Sequence, residues 1–490
     1  MNIVMVASEA VPFAKTGGLA DVVGAIPRSL MALGHTVSVF MPLYTMVRKN
    51  CTSMTDTKLS VTVPVGDAME TGRIYKAFLP GTSVPVYFVE NDRYFQRDGL
   101  YGQAGEDYPD NSERFTFFCR QVLEAITALR LPCDVIHCHD WQTALIPVYL
   151  KTTYRDTPGL AGAGTLFTVH NLAYQGLFWH WDMKLTGLDW SLFYWKQLEF
   201  WGKINLMKGG LVFADLINTV SETYAREIQT PEYGCGLEGV LRDRCKDLYG
   251  VVNGIDYEVW NPATDPMIPA KYDAKKTSGK VTCKKFLQRK CGLPVRKAPL
   301  IGMVGRLTDQ KGFDLVAEVM GEILGTEIQF VVLGTGEPKY HDLLNRLAHS
   351  YPDRMSVTLG FDNQLAHEVE AGADMFLMPS RFEPCGLNQL YSLKYGTVPI
   401  VRRTGGLADT VADCTPETVA SGAATGFCFE KYSAAELLAT IKRALACYAD
   451  RKTWLKLMKN GMSQNWSWDE SARKYVQLYT LVRQRAQAAK

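Results

Sequence analysis

The 490-residue chain is most informative first in what it lacks. No apolar run approaches the ~20 residues that a membrane-spanning helix needs, so no membrane partner is expected. Its 12 cysteines contain no Cys-x-x-Cys pair, which removes the usual zinc-ribbon and dithiol-redox signatures. Cys119, Cys138 and Cys428 fall inside apolar strand or helix patterns and read as buried free thiols of a reducing compartment. No Gly-x-x-x-x-Gly-Lys-Ser/Thr occurs, which disfavours a P-loop ATPase. Gly334-Thr335-Gly336 follows a strand but lacks the third glycine and helix start of a dinucleotide fingerprint. Excess charge is also missing: 53 Lys and Arg stand against 51 Asp and Glu. A net charge of +2 gives no global pull toward nucleic acid, so any anion site must be built locally. Met1-Asn2-Ile3-Val4-Met5-Val6 enters a strand at once, leaving no room for a signal or transit peptide, and a cytoplasmic protein is expected.

What is present begins with a repeat. Thr-Gly-Gly-Leu-Ala-Asp runs from Thr16 to Asp21 and again from Thr404 to Asp409, preceded by Lys15 and Arg403 respectively. Each copy lies just beyond an apolar stretch with the look of a buried parallel strand. Adjacent glycines let backbone N–H groups close on an anion, and the neighbouring base adds charge. One Gly-Gly turn is commonly only a turn. Six identical residues in two similar settings suggest two similarly built halves offering glycine loops to one shared ligand.

Length supports two halves, since 490 residues exceed the usual size of one core. Composition is that of a soluble globular protein, 47% hydrophobic and 21% charged. The first half opens as βαβ, with Asn2–Ser8 apolar, Asp21–Leu33 helical and stopping at Gly34, and Thr36–Met41 apolar again. Further strands are predicted at Val84–Val89, Val135–Cys138, Leu166–Val169 and Leu216–Thr219, with a long helix at Phe115–Leu129. Beyond Asn253-Gly254-Ile255-Asp256, the segment Tyr257–Ala298 is rich in Pro, Lys and Asp and reads as a connection, with a short helix near Cys283–Cys291.

Alternation then resumes: strands Leu300–Gly305, Ile328–Leu333, Val357–Phe361, Asp374–Pro379 and Val398–Val401, with helices Gly312–Leu324, Pro338–His349, Gln364–Ala371 and Gly386–Tyr395. A helical tail, Trp468–Ala489, ends the chain. The expected division is residues 1–256, 257–467 and a terminal helix 468–490 packing back toward the first domain. The expected class is α/β, two Rossmann-like doubly wound domains, with ligand at the carboxyl ends of strands in the cleft between them.

Four segments fall at such strand ends: Lys15–Asp21, Gly305–Gly312, Ser380–Leu387 and Arg403–Asp409. They supply Lys15, Arg306 and Lys311 beside two glycine loops and one helix N-terminus, a set suited to a diphosphate. Glu383 is the outstanding carboxylate. Pro384 holds it extended, near the first turn of a helix, so it reads equally as a sugar-hydroxyl acceptor and as an electrostatic helix cap. His137-Cys138-His139-Asp140 sets two histidines on one strand face, but no third ligand accompanies them, and no metal site is expected. His170-Asn171 ends another strand. Five tryptophans, Trp179, Trp181, Trp190, Trp195 and Trp201, crowd Tyr174–Trp201 and fit either a saccharide groove or a packed aromatic subdomain.

Together these residues resemble a known family, the glycogen and starch synthases of bacterial type, which are GT-B glycosyltransferases. The matching segments are Lys15–Val22, His139-Asp140-Trp141, Val169-His170-Asn171, Thr230-Pro231-Glu232-Tyr233-Gly234, Asn253–Asp256, Gly305–Gly312, Ser380–Leu387 and Thr404–Val411. The likeness spans essentially the whole chain. It implies retaining transfer of glucose from ADP-glucose to the non-reducing end of an α-1,4-glucan, with no metal or other cofactor. By resemblance, Lys15, Arg306 and Lys311 form a diphosphate clamp, with backbone groups of Gly18, Gly386, Leu387, Gly405 and Gly406. The same likeness puts Cys385, Thr404 and Leu407 on the donor side, Asp21 and Asn253 in the cleft, and Phe361 against the adenine. Glu383 then orients the donor glucose, and His170 and Asp140 lie near the reacting carbon.

Many GT-B transferases carry a second acid eight residues after the first; here that position is Tyr391, which removes a familiar ribose contact. Asn388 stands where Thr or Ile is usual and has no functional reading from sequence. A double displacement needs two carboxylates about 5 Å apart, and Glu383 has no obvious partner, so front-face substitution is expected. The competing expectations are a sucrose- or trehalose-type synthase, a glucan phosphorylase needing pyridoxal phosphate, and a carbohydrate-binding protein on an inactive scaffold. Oligomeric state is not legible.

Overall fold

The computed structural model describes residues 1–103 and 105–488; Ala104, Ala489 and Lys490 lie outside the described residues, the predicted last residue of the tail among them. The chain divides into two compact units, one of Met1–Gly254 with Trp468–Lys490 and one of Ile255–Ser467.

The first unit is built on a nine-stranded sheet. Asn2–Val6 pairs in parallel with Thr36–Pro42 on one side and Val135–His139 on the other. Gly164–Val169, Leu216–Thr219 and Leu248–Gly250 continue the parallel order beyond Val135–His139. On the other side, Pro85–Glu90 joins Thr36–Pro42 in parallel, and the hairpin Thr55–Val65 with Ala68–Phe78 extends the sheet antiparallel. The alternating exposure of that hairpin is the mark of a sheet edge with one solvated face. The inner strands are mostly apolar because both faces are covered, with buried polar exceptions such as His137, Thr168 and Asn218. Helix Asn111–Ala128 begins four residues earlier than its apolar pattern suggests, since Asn111, Ser112 and Arg114 are buried polar residues that carry no hydrophobic signal.

Helix Trp468–Ala488 packs on helix Gly18–Ala32 and on strand Gly164–Val169. Gly164 makes that approach possible, since a Cβ there would lie 2.5 Å from Val482 Cγ1 and 2.9 Å from the Val482 carbonyl oxygen. The helix is also pinned by polar contacts: Tyr479 hydroxyl bonds His137 Nδ1 at 2.8 Å, Asn218 Nδ2 donates to Tyr475 hydroxyl at 3.0 Å, and Ser29 donates to Asp469 at 2.8 Å.

The second unit carries a six-stranded, wholly parallel sheet. In space the strands run Met355–Leu359, Gln329–Gly334, Leu300–Val304, Met375–Met378, Val398–Arg402 and Phe427–Phe429. Numbered within this unit the order is 3-2-1-4-5-6, the doubly wound arrangement whose strand order reverses between the first and fourth strands. Connecting helices, from Phe313–Leu324 to Ala434–Ala449, cover it with apolar faces. No helix among the described residues is long and apolar enough to cross a membrane.

Tyr479→Phe leaves the buried His137 Nδ1 without its partner and is expected to cost roughly 1–3 kcal/mol in chemical denaturation. An unchanged midpoint would mean that this contact does not hold the terminal helix.

Candidate active site

In each sheet the chain winds away in opposite directions on the two sides of one strand, and the loops leaving that point cannot cover each other. In the first unit these loops follow Val6 and His139; in the second they follow Val304 and Met378. The sequence-predicted residues cluster at both places.

In the first unit the loop after Val6 carries Glu9, which the sequence reading passed over. Its carboxylate is buried and accepts from the Thr16 hydroxyl at 2.6 Å, the Gly17 N–H at 3.2 Å, the Tyr101 hydroxyl at 2.6 Å and the Thr16 N–H. An internal anion thus fills part of the cradle formed by the first glycine copy and fixes the path of Lys15–Gly18. Gly18 opens the helix Gly18–Ala32, so its amide is one of the N-terminal donors that have no partner inside the helix. A Cβ at Gly17 or Gly18 would meet nothing within 4 Å, so packing does not demand glycine there. Lys15 is exposed and its ammonium sits 2.7 Å from Asp21. Burial pushes the Asp21 carboxyl above its ordinary range against the pull of Lys15.

Asp140 follows strand Val135–His139 with φ 58° and ψ −178°, backbone that is all but reserved for glycine. Such a conformation in a non-glycine residue persists only where the surrounding structure holds it. Its carboxylate accepts the His170 N–H at 2.7 Å, and burial still raises its pKa to about 7. Burial drives His170 the other way, to about 3, so the imidazole stays neutral. His170 Nε2 meets His139 Nδ1 at 3.0 Å. His137 and His139 do share a face, with ring centroids 4.0 Å apart. His137, however, spends both nitrogens on Tyr479 and Thr168, and no group of three metal-ligand side chains occurs among the described residues. Asn253 is buried, and its Oδ1 has no hydrogen-bond partner among the described residues.

The second unit's loops meet at Glu383. Its carboxylate, 5% exposed as a residue, accepts from Lys311 Nζ at 2.6 Å and the Ser380 hydroxyl at 3.0 Å. Here the sequence expectation needs correcting: the following helix starts at Asn388, so Pro384 is not in its first turn and Glu383 is not its cap. Lys311 ends a short 3-10 turn, and Gly312 leaves it at φ 77°; a Cβ on Gly312 would lie 2.2 Å from the Pro379 carbonyl oxygen. Arg306 is exposed, with its guanidinium 3.2 Å from Gln310 Oε1. Gln389 Nε2 donates to the carbonyls of Cys385 and Gly386 at 2.9 and 3.0 Å, holding the 385–387 turn. Cys385 itself is buried.

The second glycine copy is used differently from the first. Gly406 N–H donates to the carbonyls of Glu383 and Pro384, both at 3.1 Å. A Cβ on Gly405, whose φ is 44°, would lie 2.0 Å from the Glu383 carbonyl oxygen, and one on Gly406 2.1 Å from that of Cys385. These glycines are demanded by backbone on backbone. Thr404 is buried, and Leu407 packs in the apolar cluster with Val401 and Val411. Residues Gly405–Thr410 form a short helix, not an open loop.

Two departures gain physical readings. Asn388 Nδ2 donates to the Val304 carbonyl at 2.7 Å, tying the helix after Glu383 to the strand before Arg306. Tyr391, at the second-acid position, stacks on Trp260 at 3.8 Å, and Trp260 stacks on His367 at 3.7 Å. The position is therefore core. Phe361 lies two residues past its strand, which ends at Leu359, and is 87% exposed. The five tryptophans near Tyr174–Trp201 are all exposed, which removes the packed-subdomain alternative.

Comparison with known proteins follows this geometry. Residues 2–243 match the family model described as the starch synthase catalytic domain, and residues 285–461 match glycosyl transferases group 1. A glycogen synthase of Koribacter versatilis is 50% identical over 486 residues, covering 99% of each chain. One from Geotalea daltonii is 49% identical over 483 residues, 98% of this chain and 99% of that one. Among solved structures, the catalytic domain of starch synthase IV from Arabidopsis thaliana, bound to ADP and acarbose, has a TM-score of 0.90 at 33% identity, covering 98% and 99%. The sucrose-phosphate synthase of Thermosynechococcus elongatus has a TM-score of 0.58 at 17% identity over the whole of both chains, a likeness of fold.

Asp140 gives a pH test. Its folded pKa, about 7, lies above the ~3.9 of an unfolded aspartate, so the stability it contributes is complete below about pH 4 and is lost as pH rises through about 7. Asp140→Asn should remove that loss, gaining roughly 4 kcal/mol on the wild type between pH 4 and pH 8 in denaturant titrations. Parallel pH profiles for the two proteins would contradict the raised pKa.

Proposed function

The chain belongs to the glycogen and starch synthase family of GT-B glycosyltransferases, and from that premise we propose that it elongates an α-1,4-glucan by transferring glucose from ADP-glucose with retention. The observation that carries this reading to particular atoms is the Lys311–Glu383–Ser380 cluster at the reversal point of the second sheet.

Each group then has a task. The bond from glucose C1 to the distal phosphate oxygen breaks, and ADP leaves with the electron pair. Lys15, Arg306 and Lys311 offset the charge that develops on that phosphate, the effect expected to dominate the rate. The acceptor 4-hydroxyl bonds C1 on the face the phosphate leaves, and its proton passes to a phosphate oxygen. Glu383, its charge balanced by Lys311, accepts from hydroxyls of the donor glucose and fixes the ring. Neutral His170 and the Asp140 carboxyl, which titrates near neutrality, bond sugar hydroxyls beside the reacting carbon. Gly18, Gly386 and Leu387 offer backbone N–H groups to the diphosphate. Gly406 serves by packing, because its amide is spent on the carbonyls of Glu383 and Pro384, while Gly405 stays with the donor-side backbone groups. Cys385, Thr404 and Leu407 shape the donor side from within, Asp21 holds Lys15, Asn253 offers an unfilled acceptor, and Phe361 offers its exposed ring to the adenine.

A glycosidase-type double displacement is disfavoured, since the Glu383 carboxylate is committed to a lysine and a serine in place of a second acid. In this reading Lys15, Arg306 and Lys311 take the place of a bridging metal, so the proposed reaction needs none. A cytoplasmic setting accords with 12 free cysteines.

The test incubates the protein with glycogen and either ADP-glucose or UDP-glucose and measures nucleoside diphosphate release. ADP-glucose should be preferred and excess EDTA should leave the rate unchanged. Glucan binding without ADP release would favour an inactive binding scaffold, and a rate restored only by magnesium or manganese would overturn the metal-free clamp. Arg306→Ala should lower kcat/KM for ADP-glucose by about 30- to 1000-fold, corresponding to roughly 2–4 kcal/mol of transition-state stabilisation. A loss below about threefold would make Arg306 a solvated surface charge.

A further inference from the structure

A neutral imidazole carries one N–H, and the hydrogen bond made at one ring nitrogen decides which of the two holds it. His139 is fully buried and must place that N–H without help from solvent. Its Nδ1 lies 3.0 Å from His170 Nε2. Its Nε2 is buried and has no hydrogen-bond partner among the described residues. The neighbours that would have served are spent. His137 lies against the His139 ring, centroids 4.0 Å apart, and gives its own nitrogens to Tyr479 and Thr168 at 2.8 and 2.7 Å. The Thr143 hydroxyl donates to the carbonyls of His139 and Asp140 at 2.9 and 3.2 Å. The Thr168 hydroxyl also accepts from Asn218 Nδ2 at 3.2 Å.

Two placements of one proton satisfy the contact between His139 and His170. With hydrogen on His139 Nε2, a buried N–H would have no acceptor, the kind of orphan that folded proteins all but exclude. With hydrogen on Nδ1, the orphan is a bare ring nitrogen, an idle acceptor, and the N–H is used. A doubly protonated ring is opposed by burial, which pushes His139 well below the ordinary histidine range. The Nδ1–H of His139 therefore donates and His170 Nε2 accepts. The one N–H of neutral His170 is then forced to Nδ1. That nitrogen has no hydrogen-bond partner among the described residues, and His170 is the partly exposed member of the pair.

We propose that His139 is a positioning residue that fixes His170 in its Nδ1–H form, so that His170 meets the substrate as a hydrogen-bond donor and not as an acceptor. The sugar hydroxyl that His170 binds is taken by its oxygen lone pair and keeps its own hydrogen for a second contact. An imidazole free to choose favours the Nε2–H form, so without His139 the donor would turn inward and a bare nitrogen would face the sugar. That the acceptor is a sugar hydroxyl rests on the function proposed above; the placement of the protons does not.

Nitrogen NMR of protein isotope-labelled in its histidine rings reads the tautomers. The chain has 8 histidines, and the His170 signals are those lost in His170→Gln. In the wild type His139 and His170 should both carry hydrogen on Nδ1. His139→Asn keeps an amide N–H where Nδ1 stood and should leave the His170 form unchanged and kcat/KM for ADP-glucose near the wild-type value. His139→Leu removes the donor. His170 should then shift to Nε2–H, and kcat/KM should fall about 10- to 100-fold, as is typical when an outer partner that orients a histidine is lost. A purely structural His139 would lower kcat/KM in both variants in step with their denaturation midpoints and leave the His170 tautomer unmoved. That result, or hydrogen on His170 Nε2 in the wild type, would overturn the proposal. If His139→Leu does not fold, the wild-type spectrum decides alone. Absence of ADP release from the wild type would sink the proposed function and leave the spectrum to judge the tautomer.

Discussion

The second unit depends on one buried carboxylate and the need to keep it paired. Glu383 lies at the point where the strand order reverses, and two neighbouring segments close on its loop. Lys311, from the loop after Leu300–Val304, and Ser380, from Glu383's own loop, donate to the carboxylate, while the Gly406 N–H, in the short helix after Val398–Arg402, donates to the Glu383 carbonyl. Withdrawing Lys311 would leave a buried charge uncompensated, a change that typically costs about 3–5 kcal/mol. That cost locks the loops together. Gly312 and Gly405 permit the lock, each bringing its backbone closer to another chain segment than a Cβ would allow. Within the second unit, the group proposed to orient the sugar and Lys311, proposed to hold a phosphate, are therefore one packed object.

The first unit solves a similar problem with another carboxylate. Glu9 fastens the Thr16–Gly17 turn from inside, while Asp21 partners Lys15. The two Thr-Gly-Gly-Leu-Ala-Asp copies share a strand-to-helix setting but put their glycines to different uses. The first pair faces open space, and the second is pressed on the carbonyls of Glu383 and Cys385. Equal sequence thus gives a strand-to-helix turn in both places but not equal backbone, since Gly17 is extended at φ −146° where Gly405 stands at φ 44° inside its helix.

Most of the parallel strands were legible because both their faces are buried and they read as continuous apolar runs. The hairpin Thr55–Val65 with Ala68–Phe78 was not, since its solvated face interrupts the pattern with Thr, Lys and Glu. The candidate bases and Glu383 were legible from their place after strands. Glu9 was hidden because nothing local marks an acid that binds a turn seven and eight residues onward. The helix near Pro384 was placed too early: Gly386 at φ 73° keeps the chain out of helix until Asn388, a backbone choice that a helical side-chain pattern conceals. The tryptophan cluster was visible as composition, but only exposure distinguishes a surface from a core.

The central claim is that Lys311 and Glu383 act on the donor as a unit. A double-mutant cycle on kcat/KM for ADP-glucose, using Lys311→Met and Glu383→Gln, tests it most directly. The account predicts that the double variant loses little more than the worse single variant, because either change disables the same pair. Losses that multiply would mean that the two side chains contact the donor independently, and would contradict it.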